Sequence, residues 1–108
     1  MAQNFRRYTK NDVGTAAQTI FTADSYDTVV GISIANITGS SVNADVYIND
    51  GSNDIYLGKT LPVPSGSAIQ ILDGGAKVVM QSGDALKVVS NTASSLDCWV
   101  SAVDAIST

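Results

Sequence analysis

The sequence contains no histidine and no glutamate, a single cysteine (Cys98) and only two prolines. Each absence closes a class of chemistry. Without imidazole, neither a serine nor Cys98 has the base that nucleophilic catalysis by a triad or dyad requires. One cysteine and no histidine leave no ligand set for structural zinc, and one cysteine forms no internal disulfide. No apolar run approaches the ~20 residues that a membrane-crossing helix needs. The opening residues, Met1-Ala2-Gln3-Asn4-Phe5-Arg6-Arg7, lack the apolar core of a secretion signal. The expected location is a cytoplasm or a particle assembled in one, with no membrane partner.

What is present favours strands. All ten acidic residues are aspartate, which prefers turns, while threonine, valine, isoleucine, serine and glycine dominate the rest. A chain of 108 residues makes one domain, and burial of roughly two-thirds of its unfolded surface lets it fold without staples. Net charge is −4, unevenly placed. Arg6, Arg7 and Lys10 stand at the start without an acid, and the remaining chain sets ten aspartates against three lysines. An acidic body lacks the clustered cations that phosphate binding requires, so nucleic acid is not an expected partner. The division expected is a basic N-terminal arm or edge strand over 1–12 and a β-sandwich domain over 13–108.

Alternation sets the strands. Between Leu61 and Val89, Ile69 with Ile71, Val78 with Met80 and Leu86 with Val88 mark three short strands. Asp73-Gly74-Gly75 and Ser82-Gly83-Asp84 separate them as turns, which predicts an antiparallel meander. Upstream, Thr15–Thr22 is a weaker strand. Thr28–Asn36 places Val30, Ile32 and Ile34 on one face and Val29, Gly31 and Ser33 on the other. Val42–Asn49 gives Val42, Ala44, Val46 and Ile48 a dry face, and the Thr38-Gly39-Ser40-Ser41 link predicts a hairpin between these two. Ile55–Leu61 follows a polar loop. In the last strand, Leu96–Ala105, Leu96, Cys98, Val100 and Ala102 face inward. Eight or nine strands at this spacing predict an all-β, antiparallel, jelly-roll-like sandwich.

Chemistry is sparse. The aspartates nearly all adjoin turn residues, so no pair stands out for acid–base work on a glycoside. Asn49-Asp50-Gly51-Ser52-Asn53-Asp54 gathers oxygen donors that calcium accepts, but it lacks the order and closing glutamate of the helix–loop–helix site and fits a hairpin loop. The glycines at 74, 75 and 83 lack the lysine of a phosphate loop. Asn36-Ile37-Thr38 has the form of a glycosylation sequon, without meaning outside a secretory route. No cofactor is expected, and Cys98 reads as a small core hydrophobe. Tyr47, Tyr56 and Trp99 each fall opposite inward-facing residues. They form a subunit interface, a sugar-stacking platform, or merely cover a sheet face.

The pieces Ile34-Ala35-Asn36-Ile37-Thr38, Leu61-Pro62-Val63-Pro64-Ser65-Gly66, Gly83-Asp84-Ala85-Leu86-Lys87-Val88 and Val100-Ser101-Ala102 resemble a small β domain of tailed-bacteriophage virion proteins. The likeness covers roughly residues 28–103. It implies a non-enzymatic virion part assembled in the host cytoplasm, a capsid decoration (cement) protein or a neck or tail accessory. It also implies a symmetric homo-oligomer, commonly a trimer, that docks on the major capsid or another virion protein. No site residues carry over from it. An extended terminus that binds a neighbour would give Phe5, Arg6, Arg7 and Tyr8 a task, and such an arm would be removable without loss of the fold. Rival readings are a carbohydrate-binding module for host adhesion, stacking through Trp99 or Tyr47, and an enzyme that uses aspartates.

Overall fold

The structure, a computed structural model, describes residues 4–24 and 26–104, and for Asn4, residues 72–77 and Asp104 the backbone alone. Ala105, placed above in the last strand, lies outside it, as do residues 1–3 and Ser25. Eight strands are described and no helix: β1 Asn4–Val13, β2 Gln18–Thr22, β3 Asp27–Asn36, β4 Val42–Asn49, β5 Asp54–Val63, β6 Ala68–Met80, β7 Ala85–Ser90 and β8 Leu96–Asp104. They form two four-stranded antiparallel sheets, β1-β8-β3-β6 and β2-β7-β4-β5. Only the β4–β5 link stays within one sheet. This order is the all-β jelly-roll sandwich that the strand spacing predicts.

The inward residues of both sheets make one core. Ile32, Ile34, Leu86, Val88, Leu96, Val100 and Met80 are fully buried there. Period-2 alternation holds along β4, β7 and β8, which turn their apolar residues inward as the sequence pattern predicts. Along β3 it slips once. Val29 pairs with Ala102 and Gly31 with Ser101, which leaves Val30 as a bulge. The bulge turns Val29 inward beside Ile32 and Ile34, and Val30 leaves the face expected for it. Ile20 is a second such insertion, between Thr19↔Lys87 and Phe21↔Leu86, which lets both Ile20 and Phe21 reach the core.

Two expected connections are corrected. The predicted hairpin over Thr28–Asn49 is a crossing from one sheet to the other, because β3 pairs with β6 and β8 while β4 pairs with β5 and β7. The predicted meander is likewise undone, since its first two strands are both parts of β6 in the first sheet and its third is β7 in the second. Asp73-Gly74-Gly75 is no turn. It lies within β6, where β3 advances two residues between its pairs Gly31↔Asp73 and Val29↔Val78 while β6 advances five. Turn-forming residues here become an irregularity inside one long edge strand.

The N-terminal segment takes the edge-strand alternative. β1 pairs with β8 from Asn4↔Asp104 to Lys10↔Cys98, and Tyr8 stacks on Phe21 of β2 at 4.0 Å with rings 6° from parallel. Tyr8, expected on a docking arm, therefore packs against the core.

Buried polar clusters bind the loops. Asn36, 2% exposed, donates from Nδ2 to the carbonyls of Ser40 (2.8 Å) and Val63 (2.9 Å). Its Oδ1 accepts from the N–H and Oγ1 of Thr38, at 2.8 and 2.7 Å, and its own N–H reaches Ser67. Ser65 Oγ closes the ring on the Thr38 carbonyl. The sequon-like Asn36-Ile37-Thr38 is thus the knot that joins the β3–β4 crossing to the β5–β6 loop. A second cluster joins the Ser90 and Ser95 hydroxyls under the β7–β8 loop. There Gly14 approaches so closely that an added Cβ would stand 3.1 Å from the Ser94 nitrogen.

Candidate functional site

The outer faces of the two sheets differ, and the difference locates the candidate site. On the second sheet one row runs Thr19, Lys87, Tyr47, Tyr56 across β2, β7, β4 and β5. Its two tyrosines belong to a cluster with Lys59 and Asp45. Tyr47 and Tyr56 rings lie 5.0 Å apart, and Lys59 sits 4.7 Å over the Tyr56 ring and 3.6 Å from Asp45. Asp45 Oδ1 accepts the N–H of Thr60, whose φ of 55° marks the β5 bulge. Tyr47 is on the outward side as expected, yet it is 8% exposed, because Tyr56 and its neighbours cover it. That cover pushes its phenol pKa up, with Asp54 adding a smaller push.

The first sheet presents a different surface. Trp99 on β8 is 52% exposed, with the Arg7 guanidinium 5.4 Å over its ring. Around it the outward positions of β3 are Thr28, Gly31, Ser33 and Ala35, opposite Val103, Ser101, Trp99 and Asp97 of β8. A row Phe5–Val103–Thr28–Val79 crosses all four strands, and Phe5 and Val79 are 84% and 67% exposed. Among the described side chains, the result is a small-residue face with a raised indole and little charge. Arg7 and Asp97 flank the indole, and a shallow groove along Thr9 and Lys10 borders it.

The expected interface residues therefore fall into groups. Phe5, Arg7 and Trp99 share the outer face of the first sheet. Tyr47 and Tyr56 lie on the opposite side of the sandwich, so the three aromatics read as one interface belong to two surfaces. Arg6 is exposed on β1 beside Arg7, and Tyr8 faces the core. The face around Trp99 was hidden from sequence reading because its signal is smallness: serine, glycine and alanine on the outward positions of two neighbouring strands.

The ends of the sandwich differ as well. The β2–β3, β4–β5 and β6–β7 loops, at one end, carry Asp24, Asp50 and Asp84. The four loops at the other end, residues 14–17, 37–41, 64–67 and 91–95, carry no charged residue. In the β4–β5 loop the oxygens considered for calcium serve the turn. Asp50 Oδ1 accepts the N–H groups of Ser52 and Asn53, Asn49 Oδ1 that of Gly51, and Asn49 Nδ2 donates to Asp54. The backbone donors hold the Asp50 carboxyl below its ordinary pKa. Among the described residues no three His, Cys or Asp side chains converge as a metal site.

Cys98 is buried under the same sheet. Burial, with the Asp97 charge second, pushes its thiol up to about 12. The native protein is expected to resist iodoacetamide at pH 8 and to react fully in denaturant, as mass spectrometry would show; rapid native labelling contradicts this burial.

No family model matches the chain, and no curated protein matches it in sequence. Solved structures do resemble it. One is the protein of Bacillus endospore appendages, described as a novel family of disulfide-linked pili. It has a TM-score of 0.55 and 13% identity over 94% of this chain and 84% of that one. Another is a pentameric capsid protein from metagenomic phage sequences, with a TM-score of 0.50 and 19% identity over 94% of this chain. This chain spans 62% of the length of that capsid protein. At these identities the shared property is the fold.

Proposed function

We propose that this chain is a non-enzymatic structural component of a bacteriophage virion, a capsid decoration protein that associates with copies of itself and docks on another virion protein. The observation that carries the reading is the outer face of the first sheet. A surface of small residues with a half-exposed tryptophan is what protein contacts use, because aromatic anchors bury much area at small conformational cost. The fold it shares with a phage capsid protein supports the same reading. So does the chemistry: no histidine is present, and the one thiol is buried and held protonated.

Reconstruction or quantitative mass spectrometry of purified particles tests it. The expected result is a fixed copy number at symmetric positions on the head, and density on the neck or tail would shift the role to an accessory. Absence from particles defeats the reading.

The exposed indole also raises the sugar-platform alternative. Arg7 over the Trp99 ring opposes it, since stacking a pyranose needs that face bare. Trp99 fluorescence is therefore expected to stay unchanged in titrations with host polysaccharides, and a saturable change would favour host adhesion.

A further inference from the structure

The face around Trp99 carries a charge pattern that identifies its occupant. Ser101 and Asp97 lie two residues to either side of Trp99 on β8, and Arg7 pairs with Ser101. The backbone positions of Arg7 and Asp97 thus lie two residues, roughly 7 Å, to opposite sides of the Trp99 row along the strands, with the Arg7 guanidinium leaning back over the indole. Such a pattern is complementary to itself when a second copy is laid on it with its strands reversed. We propose that two copies of this chain associate face to face through the first sheet. The two-fold axis lies across the strands at the Thr9–Trp99–Ser33 row, so that Arg7 of each copy meets Asp97 of the other and the indoles meet at the centre. This deepens the virion reading and rests on it for its biological setting.

Three further observations select this arrangement. Reversal of the strands places the end that carries Asp24, Asp50 and Asp84 over the uncharged end of the other copy, and so holds the two acidic ends apart. An axis along the strands would bring those acidic ends together. The exposed apolar residues also fit. Ile37, 50% exposed, continues the Ser33–Ala35 side just beyond β3, at the end opposite the Phe5–Val103–Thr28–Val79 row. Reversal brings Ile37 of one copy onto that row of the other. Finally, four strands by nine residues offer roughly 550 Å² per copy, or about 1,100 Å² in total, which reaches the ~1,000 Å² that a specific interface requires.

On the outer face of the second sheet, Tyr47, Tyr56, Lys59 and Asp45 form one cluster.

Light scattering and sedimentation of the purified chain, with circular dichroism to confirm the fold, test the proposal. A species of twice the 11.2 kDa monomer mass is expected. Trp99→Asp should weaken association at least about thirty-fold, as loss of a central anchor does. Arg7→Asp and Asp97→Arg should each be monomeric alone, since each then faces its own copy with like charges. Mixed in equal amounts they should form a heterodimer, because every contact across the axis again joins opposite charges. A monomer at 100 μM overturns the pairing and leaves the virion reading to the particle experiment. An oligomer that survives Trp99→Asp, or a mixture that restores only larger rings, equally defeats the two-fold contact.

Discussion

A chain that lacks residues 1–10 should fail to fold: no cooperative melt by circular dichroism, and elution as aggregate rather than as an 11 kDa-class species. The reason lies in what β1 covers. Its pairs from Asn4↔Asp104 to Lys10↔Cys98 close one edge of the first sheet, and its removal bares β8, whose inward residues Cys98 and Val100 are otherwise buried. It also removes Tyr8 from its stack on Phe21, which lines the same core. An exposed, apolar strand edge is a template for aggregation. Replacing Arg6, Arg7 and Lys10 by serine should leave the melt within a few degrees of the parent, which separates the strand from its charge. If the truncated chain melts cooperatively near the parent temperature, β1 is a dispensable arm after all.

Asn36→Ala should cost about 3 kcal/mol, because it orphans the buried Val63 carbonyl and removes the acceptor of the Thr38 N–H in one step. For a domain near 100 residues that corresponds to a fall in Tm of roughly 12–24 °C. Asn36→Asp separates the hydrogen bonds from the volume. A carboxylate there would point an oxygen at the Ser40 and Val63 carbonyls, so its pKa in the fold would rise above the unfolded value. The protonated form donates and is the stabilising one. The variant should thus be most stable below the ordinary carboxylate pKa of about 3.9 and lose stability as pH rises through its raised pKa. Equal Tm deficits for the Asp variant at pH 4 and pH 8 would show that Asn36 only fills space.

Both predictions turn on residues whose role the chain does not announce. Asn36-Ile37-Thr38 has the form of a sequon and Val63-Pro64-Ser65-Gly66 that of a turn, and nothing in either states that they meet. They meet because β3 and β5 end at the same pole of the sandwich. The Asp73-Gly74-Gly75 stretch makes the converse case. Its turn propensity is real, yet pairing of β6 with β3 on both sides holds it in one strand, since the ladder on either flank outweighs a local preference.

Alternation by itself determined the all-β class, the inward residues of β4, β7 and β8 and the burial of Cys98. It did so because side chains change face at every residue, and burial of the apolar set leaves one choice of side. Composition determined which chemistries were out of reach. Which strand lies beside which, and so which outward residues share a surface, was settled only in the folded sandwich. A period of two is satisfied equally by a neighbour in the same sheet and by one stacked across the core. Only the closure of both sheets over one core separates Trp99 from the tyrosines and sets it among serine, glycine and alanine.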